Sequence, residues 1–277
     1  MVTDPYQAFR QAVDRPENKI DLGRAALTIA LPDYPGLDVT ACLSRVDDLA
    51  VEVTQRCGAE ADVYGSLAAL NHVLFTEHGF CGNREDYFDP KNSFLNEVLE
   101  RKTGIPISLS VLYMEVAQRV GLTLAGVGFP GHFLVKSVRE GEEIVIDPFL
   151  GGEVRSRGDL NRMLRDLYGG KVAFDPEFLE PVSKKQILKR MLANLKAIYL
   201  KKNDLVKTLL VFDRLIILDS AAPEDLRDRG LLYLRLECFT QAREDFQTYL
   251  KLAPNAEDAG AIREQVVSLG NQVTRLH

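Results

Sequence analysis

Three stretches decide how this chain folds: GIPISLS at residues 104–110, GFPGHFLV at residues 128–135 and IDPF at residues 146–149. The first reads as a helix start, because proline is favoured in the first turn of a helix. The second and third read as strands, one carrying a histidine and the other ending at an aspartate. Their order predicts an α+β core, with a small antiparallel sheet packed on one helix.

The elements around these stretches follow from the apolar spacing and the turn residues. Pro106 opens a helix predicted to run to Val120, and Gly121 ends it. Alternating apolar residues and Gly/Pro turns predict three strands after it, at Leu124–Phe129, His132–Val138 and Glu143–Phe149.

The hairpin between the last two strands brings a histidine and an aspartate together. If Glu140 and Gly141 form a two-residue turn, the numbers of paired residues sum to 281. His132 and Asp147 then become diagonal neighbours on one face of the sheet, within reach of each other. A carboxylate that holds a histidine is the orienting half of a nucleophile–His–Asp arrangement, although the same pair also serves as a structural hydrogen bond.

A nucleophile would gain most at the N-terminus of the helix at Pro106, where the free N–H groups and the helix dipole favour an anion. No cysteine lies there, and Ser108 is the nearest hydroxyl. Ser108 is therefore either a nucleophile activated by His132 or a residue that caps the helix. Asn92 and Asn96 precede the helix and are candidates to donate amides to an oxyanion, or to stabilise a turn.

The residues before the core read as mostly helical. Apolar residues recur at steps of three and four, and Pro, Gly or Asp residues stand at the breaks. The predicted helices are a short one between Pro5 and Pro16, then Asp38–Cys57, Asp62–Glu77 and Ser93–Lys102.

An internal repeat begins near residue 183. Tyr199 and Tyr233 are 34 residues apart, and so are Phe212 and Phe246. A 34-residue period in helical sequence is typical of tetratricopeptide repeats. We therefore predict an N-terminal part with the core at residues 1–180, and about two repeats at residues 181–277.

Repeats of this kind bind proteins or peptides with exposed side chains, so we expect an unknown protein or peptide partner. The polar residues that the repeat helices could present to such a partner are Lys196, Asn203, Arg227 and Arg235.

Composition limits the remaining function classes. The 277 residues carry a net charge of −6, which argues against nucleic-acid binding, and no apolar run is long enough to span a membrane. The four cysteines show no CxxC or zinc spacing and fit reduced thiols, so we expect a cytoplasmic protein with neither a metal nor a cofactor.

The motifs together resemble a known family. The order of helix start, Gly-His strand and Asp-Pro strand is similar to the transglutaminase-like, or papain-like, core. A longer series looks like the SirB family, which joins such a core to C-terminal tetratricopeptide repeats: Gly82-Asn83, Tyr87, Asp89-Pro90, Asn92-Ser93, 95–99, 104–107, 128–133 and 147–149.

The resemblance implies roles for single residues. His132 and Asp147 match the transglutaminase-type histidine and aspartate, and the cysteine position falls near Pro106. We therefore expect a scaffold or regulator that lacks the cysteine nucleophile, with Asn92, Asn96 and Pro106 lining its cleft. The alternative is a hydrolase or acyltransferase acting on amide bonds, in which His132 and Asp147 activate Ser108 or a water.

Overall fold

Aspartate caps begin three helices of the N-terminal region. In the computed structural model, which describes residues 5–58, 61–137 and 143–275, the side chains of Asp21, Asp38 and Asp62 each accept a hydrogen bond from a backbone N–H three residues on. The helices are α1 Pro5–Val13, α2 Leu22–Thr28, α3 Val39–Arg56 and α4 Val63–Asn71.

The helix predicted at Asp62–Glu77 is present but changes its winding. After α4 the chain continues as a π-helix from His72 to Glu77. Such π segments are rare and are often found at functional sites, and sequence periodicity carries no signal for them.

A buried helix forms the centre of the core. Helix α5 covers Leu95–Arg101 and α6 covers Pro106–Arg119, with Pro106 in its first turn as predicted. Two short strands missed by the sequence analysis, β1 Cys81–Gly82 and β2 Thr103–Gly104, pair in parallel just before α6. Almost every residue of α6 is buried, so the helix fixes the position of whatever lies at its N-terminus.

The sheet is antiparallel, with strand order β3-β4-β5-β6. Val135 pairs with Ile146 and Lys136 with Val145, so paired numbers sum to 281 and the predicted register is confirmed. The turn residues Glu140 and Gly141 lie outside the described residues. The strands are β3 Leu124–Val127, β4 Leu134–Ser137, β5 Val145–Asp147 and β6 Glu153–Val154.

The predicted strands are longer than the observed ones. His132 lies in a bend before β4, not in the strand itself, because Pro130 and Gly131, with its positive φ of 70°, turn the chain there. The sheet packs on helix α7, Arg157–Tyr168, through a core of Val127, Phe129, Leu134, Val145, Leu160, Leu164 and Leu179.

The chain forms two compact units, one up to Met191 and the other from Leu192 onward. Helix α8, Lys184–Lys201, runs across this division. The sequence analysis places a domain boundary between residues 180 and 181. That boundary stays a prediction, because compact units in a structure are not necessarily domains that fold independently.

The second unit is helical and repeats with the expected period. Its further helices are α9 Leu205–Leu218, α10 Pro223–Arg235, α11 Phe239–Leu252 and α12 Ala259–Arg275. Helix α11 begins and ends 34 residues after α9 does. Phe246 is fully buried against Gly230, where a Cβ would lie 2.5 Å from the phenyl ring. The small residue of the repeat therefore leaves the space that its aromatic residue fills.

Candidate functional site

His132 and Asp147 meet at the end of the sheet. The imidazole Nε2 lies 3.0 Å from Asp147 Oδ1, with the imidazole as donor because a carboxylate only accepts. Asp147 is fully buried at the end of β5, and its Oδ1 also accepts from the backbone N–H of Phe149 at 3.1 Å. The two side chains therefore meet as predicted, although His132 reaches Asp147 from the bend before β4 and not from the strand.

Arg155 completes this group and was missed by the sequence analysis. Its Nε lies 3.5 Å from Asp147 Oδ2, and its side chain is only 14% exposed. Strand β6 positions it, since Asp147 pairs with Glu153 and the backbone N–H of Arg155 donates to the carbonyl of Val145. The guanidinium offsets the charge of a carboxylate that would otherwise be costly to bury.

One edge of His132 borders a cavity of about 310 Å³. Its side chain is 12% exposed, so the ring is mostly buried. The other lining residues are Gly131, Leu150, Arg155, Asp159, Arg162, Met163, Asp166 and Leu167.

Phe149 covers another side of the imidazole. The two ring centroids are 5.8 Å apart in an edge-to-face arrangement. The same phenyl ring packs on Gly82, where a Cβ would lie 2.4 Å from it. Gly82 pairs with Gly104, two residues before Pro106, so Phe149 reaches from His132 to the strands that lead into α6.

Gly82→Ala is expected to destabilise the core by about 1–3 kcal/mol, because the added methyl group overlaps the Phe149 ring and forces it to move. Urea titration followed by circular dichroism measures the free energy of unfolding. The matched control is Gly36→Ala, where a Cβ would meet nothing within 4 Å. Equal stability of the two variants would contradict the packing described here.

Among the described residues, no hydrogen bond joins Ser108 to His132. Its hydroxyl is fully buried and donates to the carbonyl of Asn92 at 2.6 Å. It also accepts from the backbone N–H of Ile105 at 3.1 Å, so both capacities of the oxygen are used at the start of α6. Of the two roles considered for Ser108, these hydrogen bonds support the helix cap.

Two of the three cleft-lining candidates, Asn92 and Pro106, are buried, and Asn96 on α5 is half-buried. Asn92 is fully buried, and its side-chain NH₂ group donates to the carbonyls of Asp86 and Tyr87. No N–H of this amide is left to donate to an oxyanion. Pro106 is buried at the first position of α6. The Asn96 Oδ1 atom is buried without a hydrogen-bond donor among the described residues. None of the three lines the cavity at His132.

The four polar candidates of the repeat unit are engaged within the chain. Each forms an ion pair or a hydrogen bond with another side chain: Lys196 with Asp225 at 3.3 Å, Arg227 with Asp258 at 3.1 Å, and Arg235 with Asn203 at 3.1 Å. These contacts stabilise the packing of the repeat helices, so binding through these residues would have to compete with them.

The part of the chain that the structure describes contains no group of three His, Cys, Asp or Glu residues able to hold a metal ion. The four cysteines carry free thiols, and Cys81 is the exposed one. None of the described helices combines the length and the apolar character that crossing a bilayer requires.

Comparison with known proteins identifies both parts of the chain. A family model described as the transglutaminase-like superfamily matches residues 40–193. A second one, the tetratricopeptide repeat, matches residues 195–267.

Several proteins are similar to this chain over most of their length. A UPF0162 protein of Xylella fastidiosa is 38% identical over 269 residues, which cover 94% of each chain. A UPF0162 protein of Vibrio cholerae is 34% identical over 78% of this chain and 80% of its own. The protein SirB1 of Salmonella typhimurium is 26% identical over 88% of this chain and 90% of its own. No solved structure matches the chain.

Proposed function

This chain belongs to the UPF0162 family of transglutaminase-like proteins with tetratricopeptide repeats, and from that premise we propose that it is a cytoplasmic scaffold or regulator that binds a protein or peptide. In this proposal the transglutaminase-like core keeps its histidine and aspartate but does not form an acyl-enzyme.

The observation that carries the proposal is the position of Phe149. Its ring lies against His132 and against Gly82, in front of the strands that lead into α6. Pro106 occupies the first turn of that helix and offers neither an acidic side chain nor an N–H donor. Acyl transfer requires a nucleophile within hydrogen-bond reach of its base, and this packing supports none at α6.

The repeat unit supports the binding role. Tetratricopeptide repeats stack helices into a surface that contacts other chains, and the match over residues 195–267 places such helices here.

Assays of the purified full chain test the proposal. Incubation with a glutamine-containing peptide and hydroxylamine should yield no hydroxamate, and intact-mass spectrometry should show no adduct on the protein. Cross-linking in cells that express the chain should capture a stoichiometric protein partner. Turnover that the variant His132→Gln loses, together with failure to capture any partner, would refute the proposal.

A thiol placed at the start of α6 should remain poorly reactive. In the variant Pro106→Cys we expect iodoacetamide to alkylate residue 106 much more slowly than Cys81, because Pro106 is buried whereas Cys81 is exposed. Peptide mapping by mass spectrometry measures both rates in one sample. Equal rates would show an open site and weaken the binding proposal.

A second candidate is amide hydrolysis with water as the nucleophile. Its support is the 310 Å³ cavity at the exposed edge of His132, while Asp147 holds Nε2 on the buried side. His132 would act as the general base and Asp147 would orient it. Hydrolysis that Ser108→Ala retains and His132→Gln loses would favour this candidate.

A further inference from the structure

We propose that a surface formed by Arg84, Tyr87, Phe88, Phe149 and Arg190, here called the aromatic surface, binds an acidic segment of a partner protein. The segment would place an apolar side chain on the aromatic rings and a neighbouring carboxylate at the two guanidinium groups. This inference rests on the proposed function, because it names the chemistry of the partner and a docking place on the core.

The loop that carries the aromatic surface is held in one conformation from its inside. The buried Asn92 amide donates to the carbonyl of Asp86 at 2.7 Å and to that of Tyr87 at 3.3 Å. Its Oδ1 accepts from Asn83 Nδ2 at 3.1 Å, and Asn83 Oδ1 accepts from the backbone N–H of Asp86 at 2.9 Å. A preorganised loop loses little conformational entropy when a partner binds.

Both ends of this loop are also anchored. The backbone N–H of Asn83 donates to the carbonyl of Gly104 at 2.9 Å and extends the pairing of β1 with β2. At the other end, Arg101 Nη1 donates to Asp89 Oδ2 at 3.0 Å. The fold therefore holds the loop firmly against the helix start of the core.

What this rigid loop presents to solvent is a pair of aromatic side chains. Tyr87 is 39% exposed and Phe88 is 55% exposed, and their rings pack edge to face at 5.4 Å. Tyr87 continues inward to Phe149 at 6.4 Å, and Phe149 to His132. Adjacent exposed aromatic residues on a rigid support are typical of the energetic centre of a protein interface.

Two cations flank these rings. The Arg84 guanidinium lies 5.9 Å above the ring of Phe149. Arg190 donates to the carbonyl of His132 at 2.6 Å, and its charge is close enough to Tyr87 to oppose the rise that burial causes in the pKa of that hydroxyl. The Arg190 guanidinium is partly desolvated, and this burial lowers its pKa.

Neither guanidinium forms an ion pair with a carboxylate in residues 5–58, 61–137 or 143–275. Glu85 and Asp86 follow Arg84 in the loop, but their exposed carboxylates do not pair with either group. Arg84 is exposed and Arg190 is half-buried. The half-buried cation of Arg190, without a counter-ion among the described residues, gains most from an external carboxylate, which is why the partner segment is acidic.

Selection of peptides on the full chain tests the inference. The probe is a displayed library of random 12-residue peptides, selected on the wild-type protein. We expect the enriched peptides to share Asp or Glu beside an aromatic or large aliphatic residue. The best of them should bind the double variant Phe88→Ser/Arg84→Gln about tenfold more weakly or worse. Tyr64→Ser, at an aromatic residue on α4 that is 50% exposed, is the matched control and should bind normally.

A fluorescent reporter locates the binding. The chain has no tryptophan, so Phe88→Trp introduces a single indole into the aromatic surface, and Tyr64→Trp introduces one elsewhere. The selected peptide should shift the emission of the first variant and not of the second. Replacing its acidic residues by the corresponding amides should weaken binding about tenfold, since charged hydrogen bonds are the stronger ones.

Three results would overturn the inference: no enriched consensus, a consensus without an acidic residue, or equal binding by wild type and double variant. Each leaves the proposed function standing if the full chain still captures a partner in cells. Conversely, cleavage of the selected peptide would remove the proposed function and keep the aromatic surface as a substrate site.

Discussion

Replacing Phe246 by alanine is expected to cost the repeat unit about 3–5 kcal/mol of its free energy of unfolding. The side chain is fully buried and contacts Gly230, whose missing Cβ makes room for the ring. Glycine cannot relax to fill the cavity that the truncation leaves. The loss is therefore close to the upper end for a core truncation.

Hydrogen exchange followed by mass spectrometry measures this effect on peptides from α10 and α11. Exchange in these helices should accelerate strongly in Phe246→Ala. Leu231→Ala is the control, because Leu231 lies on α10 with its side chain 41% exposed. Unchanged protection of α11 in Phe246→Ala would mean that the ring does not hold the two helices together.

Asp147→Ala is expected to cost the core about 3–5 kcal/mol, as does the removal of one partner from a buried ion pair. The carboxylate serves three groups at once: the His132 ring, the Arg155 guanidinium and the backbone N–H of Phe149. Without it, the side chain of Arg155 remains desolvated with its nearest buried anion removed.

Asp147→Asn removes the negative charge of the side chain and keeps its size and its hydrogen-bond acceptor. The amide oxygen can still accept from the N–H of Phe149, but it no longer neutralises Arg155. We expect a loss smaller than for alanine, about 1–3 kcal/mol, and double substitution of Asp147 and Arg155 should be less harmful than the sum of the single changes. Strictly additive losses in urea titrations would show that Arg155 and Asp147 do not interact.

The sequence predicts the backbone frame of the site well. Turn residues and alternation are local signals, and together they predict the register of β4 and β5, with paired numbers summing to 281. This register places Leu134 opposite Asp147, and the turn at Pro130 and Gly131 then brings His132 to the carboxylate from just outside β4. The 34-residue spacing likewise predicts α9 and α11, since each repeat is one helical pair.

The side-chain contacts around the site are not predicted from the sequence. Ser108 was a candidate nucleophile because of its position in a first turn, but the same position makes it a cap, and the carbonyl of Asn92 uses its proton. Phe149 gave no signal of its own, because its role depends on the absence of a side chain at Gly82, far away in sequence. Long-range packing of this kind requires the folded structure.

The repeat unit illustrates the same limit for charges. Lys196, Arg227 and Arg235 were assigned to a partner because they are polar residues on predicted helices. Each meets a polar side chain 29 to 32 residues away in the chain. A repeat of 34 residues brings such distant positions side by side, so charges that look available in the sequence are already used in the fold.

The ring of Phe149 also constrains how this lineage can change. Under the proposed function, a thiol enzyme built on this core needs a cysteine in place of Pro106 and a smaller residue in place of Phe149. The first substitution alone yields a shielded thiol, and the second alone yields a void, so neither gives selection anything to favour. A core with this packing is therefore expected to gain thiol chemistry only when both positions change together.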